Sequence, residues 1–201
     1  MKVLVTGFDP FGGEKVNPAW EVARALPARV GGAEVVRVQV PTSYRRGPAA
    51  VAEAVRAEAP DLVLCLGQAG GRTAVTPEFV GINWRCAAAP DNDGDQPAGE
   101  RILPEGPDAY FSTLPVQAMA DAMCAVGVPA SVSYTAGTFV CNDVLYELLH
   151  LLAAEFPGAR GGFTHVPFLP EQAAQKGGRV ASVPLELAVR GVTVALEAAL
   201  G

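Results

Sequence analysis

DLVLCLGQAGGR, from Asp61 to Arg72, decides the fold. Its first half is almost continuously apolar, as a strand buried on both faces should be, and its second half is a turn cluster rich in glycine. A strand of that kind needs covering helices on either side. Other β-rich runs lie at Lys2 to Val5, Ala33 to Val40, Pro129 to Tyr134 and Gly161 to Phe168. Helical patterns alternate with them near Ala19 to Ala25, Gly47 to Glu58, Pro115 to Val126, Cys141 to Glu155 and Leu185 to Leu200. This alternation predicts an α/β fold: one open, twisted, largely parallel sheet with crossover helices on both faces. Sheets of this class gather ligands at the carboxyl ends of their strands, where GQAGGR lies.

The 201 residues fit one domain, and neither an internal repeat nor a sharp boundary divides 1–201. Half the residues are hydrophobic, enough apolar surface to offset the chain entropy lost on folding. The net charge of −6, with no run of basic residues longer than two, argues against a nucleic-acid partner. MKVLVTGF is too short for a secretory h-region, and no stretch approaches the roughly 18 apolar residues of a membrane span, so a cytoplasmic protein is expected. Cys65, Cys86, Cys124 and Cys141 form no close pair and read as free thiols, and neither a metal nor a cofactor is expected. GFDPFGG lacks the Lys-Ser/Thr of a P-loop and the spacing of a dinucleotide site. The segment Ala87 to Tyr110 has no periodicity and reads as a long surface loop.

Chemistry concentrates in SYTAGTFVCNDVLYELLHLLAAEF, where Cys141 stands just before Val144, Leu145, Leu148, Leu149 and Leu152 at helical spacing. A cysteine at a helix start faces unpaired amides and the positive end of the dipole, which favour a thiolate and can hold an oxyanion. It also reads as a small buried hydrophobe. Of the two histidines, His150 lies more than two turns further along the same helix, out of reach and structural. His165, in GGFTHVPFLP, falls near a strand end at the ligand edge and is the candidate base, with a satisfied core histidine as the alternative. Glu78, amid apolar neighbours in TAVTPEFVGINW, is the candidate carboxylate to orient it, or else a solvated edge residue. Asp91, Asp93 and Asp95 look like turn formers.

These residues lie in strings that resemble the pyroglutamyl peptidase type I family, also called pyrrolidone carboxyl peptidase, over nearly the whole chain. The carriers are TGFDPFGG with Asn17-Pro18, GQAGGR, TPE ending at Glu78, PDNDGDQP from Pro90, SYTAGTFVCN ending at Asn142, and GGFTHVPFLPEQ ending at Gln172. The resemblance implies a Cys141, His165 and Glu78 triad that removes an N-terminal pyroglutamyl residue. The lactam bears no α-ammonium charge, so its pocket needs flat apolar walls and a few polar groups. The resemblance assigns the walls to Phe8, Phe11 and Phe139, the polar positions to Asn17 and Gln68, and a further substrate contact to Val140. Core packing for Phe8 and Phe11, and a turn role for Gln68, stay open beside this. A homo-oligomer, often a tetramer, is also implied.

One departure is material: where the family usually reads ARIPDN, this chain has AAAPDN, with Ala88 and Ala89 in place of Arg and Ile. The expectation is a normal fold and triad with weakened turnover or an altered pocket, unless Arg85 supplies the missing charge. Two rivals follow. A nucleoside phosphorylase-like enzyme would require phosphate and ignore iodoacetamide, and a pyroglutamyl-binding protein would bind without hydrolysing.

Overall fold

The computed structural model describes residues 1–201. The chain opens with β1 (Lys2–Phe8), α1 (Pro18–Ala25), β2 (Arg29–Val30), β3 (Ala33–Val40), α2 (Arg46–Glu58) and β4 (Leu62–Gln68). Five short strands follow: β5 (Thr76–Pro77), β6 (Val80–Ile82), β7 (Arg85–Cys86), β8 (Ala98–Glu100) and β9 (Ala109–Phe111). After these come α3 (Val116–Ala125), α4 (Val140–Glu155), β10 (Arg160–Val166), α5 (Pro170–Gln175) and α6 (Leu185–Leu200).

The main sheet has the order β2-β3-β1-β4-β10-β5. Its four inner strands are parallel, and β2 and β5 pair antiparallel at the edges. Side chains alternate across each strand, so a strand covered on both faces must be apolar throughout. Val3, Val5, Leu62 and Leu64 pack with Val22, Met119 and Leu196 of α1, α3 and α6. Leu4, Val63, Cys65 and Phe163 turn the other way, against Val51, Val55 and Leu148 of α2 and α4. Each such fully buried Leu or Val contributes about 1.5–3 kcal/mol of transfer free energy.

Four expected strands and five expected helices form within two residues of their sequence bounds, except that β1 runs on to Phe8, three residues past the expected Val5. Pro129 to Tyr134 does not form a strand. It runs beside the β5 segment through two isolated bridges, Val75 with Ala130 and Glu78 with Ser133. Its other side has no partner strand, so the β-rich composition finds only half a ladder. The long loop holds its shape through polar contacts and short pairings: β7 pairs with β8, and β6 with β9. The Asp91 carboxylate accepts from the amides of Tyr44, Asp93 and Asp95 at 2.8–2.9 Å, the turn role expected of it.

Candidate active site

Three segments converge at the carboxyl ends of β4 and β10. Cys141 is the second residue of α4, entered through Gly137 in the left-handed region at φ +78° and an extended Phe139. His165 lies on β10 opposite Gly67 of β4, and Glu78 follows β5, with its amide donating to the Phe163 carbonyl at 2.9 Å. Gly67 decides whether they can meet. A Cβ there would stand 2.6 Å from the Phe163 ring and 2.9 Å from Cys141 Sγ, distances no side chain tolerates. The bare backbone of β4 gives the sulfur its seat.

The cavity so formed is about 260 Å³ and is lined by Cys141, His165 and Arg72 together with Phe8, Phe11, Phe139, Asn17 and Gln68. Glu78 sits behind this surface, fully buried. His165 Nδ1 donates to Glu78 Oε1 at 2.7 Å. That bond places the proton of a neutral ring on Nδ1 and leaves the Nε2 lone pair free. Arg72 Nη1 reaches the same Glu78 oxygen at 2.5 Å, while Glu78 Oε2 has no partner. Cys141 and His165 share the cavity wall without a hydrogen bond between them, the loose arrangement common in sites without substrate.

The electrostatics correct the expectation of a resting thiolate. Burial, aided by the Glu78 charge, pushes the Cys141 thiol up to about 12, outweighing Arg72 and the residue's own amide, which favour the anion. Burial also lowers His165 below its ordinary value, although its bond to Glu78 works the other way. Glu78 is opposed by burial too, yet the His165 bond, the charge the imidazole takes on in acid, Ser133 and Arg72 hold its carboxyl below the usual range. The resting state is therefore thiol, neutral imidazole and carboxylate.

The remaining expected residues take different places. Phe8 packs on Phe163 at 6.3 Å between ring centroids, and Phe11 on Phe139 at 5.9 Å. The Asn17 side chain accepts from Ala19 N at 3.0 Å, capping α1, and donates to the Asp9 carbonyl at 2.9 Å. Gln68 accepts from Gln172 at 3.0 Å. Val140 does not line the cavity: its side chain is buried in the core facing α2, because the first turn of α4 points it away from Cys141. His150 meets Tyr110 at 2.9 Å and is structural.

Arg85 does not supply the charge missing at Ala88. Glu100 at 2.9 Å and Asp143 at 3.4 Å hold its guanidinium in a separate polar cleft of about 450 Å³. Ala88 and Ala89 line a shallow recess that shares Phe11 and Phe139 with the Cys141 cavity and holds no cation. The cation in the cavity is Arg72. Sequence reading missed its role, as it missed Asn142, whose amide accepts from Ile82 N and donates to the Ile82 and Trp84 carbonyls at 2.8–2.9 Å. That clamp fixes the start of α4 against β6. The signal for both lay inside quoted strings, Arg72 in GQAGGR and Asn142 in TFVCN.

Over residues 1–201 the chain matches the profile of a family described as pyroglutamyl peptidase. A pyrrolidone-carboxylate peptidase of Enterococcus faecalis is 50% identical over 200 residues, covering 100% of this chain and 93% of the relative. That of Streptomyces coelicolor is 52% identical over 199 residues, covering 98% and 91%. The crystal structure of pyroglutamyl peptidase I from Bacillus amyloliquefaciens superposes with a TM-score of 0.95 at 46% identity, covering 100% of this chain and 95% of the other. A mutant pyrrolidone carboxyl peptidase from the hyperthermophile Pyrococcus furiosus gives 0.94 at 38% identity, covering 100% and 98%.

Proposed function

The chain belongs to the pyroglutamyl peptidase family, and from that premise we propose that it hydrolyses the N-terminal pyroglutamyl residue of peptides with Cys141 as nucleophile, His165 as proton shuttle and Glu78 as the group that orients it. One observation carries the reading: the 2.7 Å bond from His165 Nδ1 to a buried carboxylate, on the wall of the cavity that also holds Cys141. Because thiol and imidazole rest neutral, deprotonation and attack run together. His165 Nε2 takes the thiol proton as Sγ bonds to the pyroglutamyl carbonyl carbon, and the amides at the start of α4 hold the oxyanion. Nε2 then gives the proton to the departing peptide amine as the C–N bond breaks. Water, deprotonated by the same nitrogen, cleaves the thioester and frees pyroglutamate. Phe8, Phe11 and Phe139 suit the flat faces of the lactam, and Asn17 and Gln68 offer it polar edges. Val140 enters only through its backbone.

The test is release of arylamine from a pyroglutamyl-arylamide. Cys141→Ala is expected to stop it, and turnover at the parent rate would overturn the assignment. The matched relatives are named for peptidase activity, so neither the phosphorylase-like nor the binding-only alternative gains support.

We further propose that residues 1–201 act as one peptidase domain, that the enzyme works in the cytoplasm, and that it associates as a homo-oligomer, with a tetramer suggested by the resemblance. Exposed free thiols at Cys86 and Cys124 suit a reducing compartment. No helix is long and apolar enough to cross a membrane. The aromatic cluster of Phe79, Phe111 and Tyr134, with ring centroids 5.1 and 5.6 Å apart, stays exposed on the single chain and suits burial between copies. Sedimentation should show the mass fall with Phe111→Lys, and an unchanged mass would remove this surface from the interface.

A further inference from the structure

The Arg72 guanidinium makes three contacts, each on a segment that carries part of the relay. It meets Glu78 Oε1 at 2.5 Å, the Thr76 hydroxyl, and the Thr135 carbonyl at 3.0 Å. Thr76 is paired with His165 across β5 and β10, and Thr135 lies on the turn that leads into Cys141. One side chain therefore ties the β5 segment, which bears the carboxylate and pairs with the strand of the imidazole, to the segment that leads into the thiol. It is also the only Lys or Arg on the cavity wall.

We infer that Arg72 is a positioning residue for the hydrolysis: its guanidinium holds Glu78 Oε1 turned toward His165 and gives the catalytic cavity its one permanent positive charge, beside Cys141. This rests on the reading of Cys141 as nucleophile and deepens it. The buried Glu78 charge has no hydrogen-bond partner at Oε2; His165 and Arg72 both meet Oε1, and Ser133 also favours the charge. The titratable groups facing the sulfur are Glu78, His165, Arg72 and, from β4, Cys65. Of these, Glu78 and Cys65 disfavour the sulfur anion, and Arg72 alone is a fixed cation that favours it. Arg72 likewise disfavours the imidazolium of His165. Removing it makes thiol and imidazole hold their protons to higher pH together.

The experiment follows alkylation of Cys141 by iodoacetamide against pH, read by peptide mass, alongside kcat and KM for a pyroglutamyl-arylamide. Arg72→Gln is expected to move the alkylation midpoint alkaline by about one pH unit. It should lower kcat about 100-fold with little change in KM, the pattern of a misplaced relay rather than lost binding. Arg72→Lys keeps the charge but cannot span all three contacts, so it should restore the midpoint and leave kcat reduced. An unmoved midpoint in Arg72→Gln, or a loss carried by KM alone, overturns the inference. If Arg72→Gln does not fold, a shifted midpoint in Arg72→Lys overturns it instead. Hydrolysis by Cys141→Ala at the parent rate would remove the nucleophile assignment itself, a separate failure that the Arg72 variants do not decide.

Discussion

Two carboxylates in this molecule are wholly buried, each faces an arginine, and each has one oxygen without a partner, yet they meet opposite fates. Glu78 has Arg72 at 2.5 Å and His165 at 2.7 Å, and its carboxyl stays below the ordinary value. Asp143, two residues past Cys141, has only Arg85 at 3.4 Å, and that guanidinium is shared with Glu100. Burial, with Glu147 and Glu100 adding to it, pushes Asp143 up to about 8 despite Arg85. Desolvation is a comparable burden in both places. The number and closeness of the donors decide which carboxyl keeps its charge.

Exchanging each acid for its neutral amide tests that contrast. Glu78→Gln should lower kcat on a pyroglutamyl-arylamide about 10⁴-fold, because a carboxamide neither fixes the Nδ1 tautomer nor stabilises the imidazolium. Activity within tenfold of the parent would place the orienting role elsewhere. The next effect is on stability. Asp143 holds its proton in the fold to a higher pH than in the unfolded chain, so its contribution is fully present below about pH 4 and is lost as pH rises toward about 8. Thermal melts of Asp143→Asn should match the parent near pH 4 and exceed it at pH 8, and identical melts at both would show that Asp143 ionises freely. Glu78 runs the other way: its stabilising charge is lost as acid protonates it below its ordinary value, so Glu78→Gln should flatten the acid side of the stability curve. Arg85→Gln should have the smallest effect on turnover, within about threefold, since the contacts of Arg85 lie outside the catalytic cavity. A loss as large as that expected for Arg72→Gln would erase the distinction between the two arginines.

How far each site could be read from sequence follows the same division. Glu78, Cys141 and His165 stood out because each falls at an element end marked by apolar periodicity or a turn cluster, and because the strings around them resemble a known family. Helices α1 to α4 and α6 were legible from helical spacing and the inner strands from continuous apolar runs. What escaped depends on partners distant in sequence. Nothing local distinguishes Arg72, which meets Glu78, from Arg85, which is drawn off to Asp143 and Glu100. Strands of two or three residues such as β5 and β7 carry no period to detect, and α5 is only six residues long. Pro129 to Tyr134 has strand composition without a strand on each side. Val140, adjacent to Cys141 in sequence, is turned into the core by the helical rotation that presents Cys141 to the cavity.

The lone guanidinium on the cavity wall also bears on which chain ends the cavity suits. The one acid within reach, Glu78, is sealed beneath the surface and already bound to Arg72 and His165, so a peptide entering with a free ammonium would be stripped of water beside a like charge and offered no counter-ion. A blocked chain end brings no ammonium and escapes that penalty, which is the charge contrast the proposed pyroglutamyl specificity would draw on.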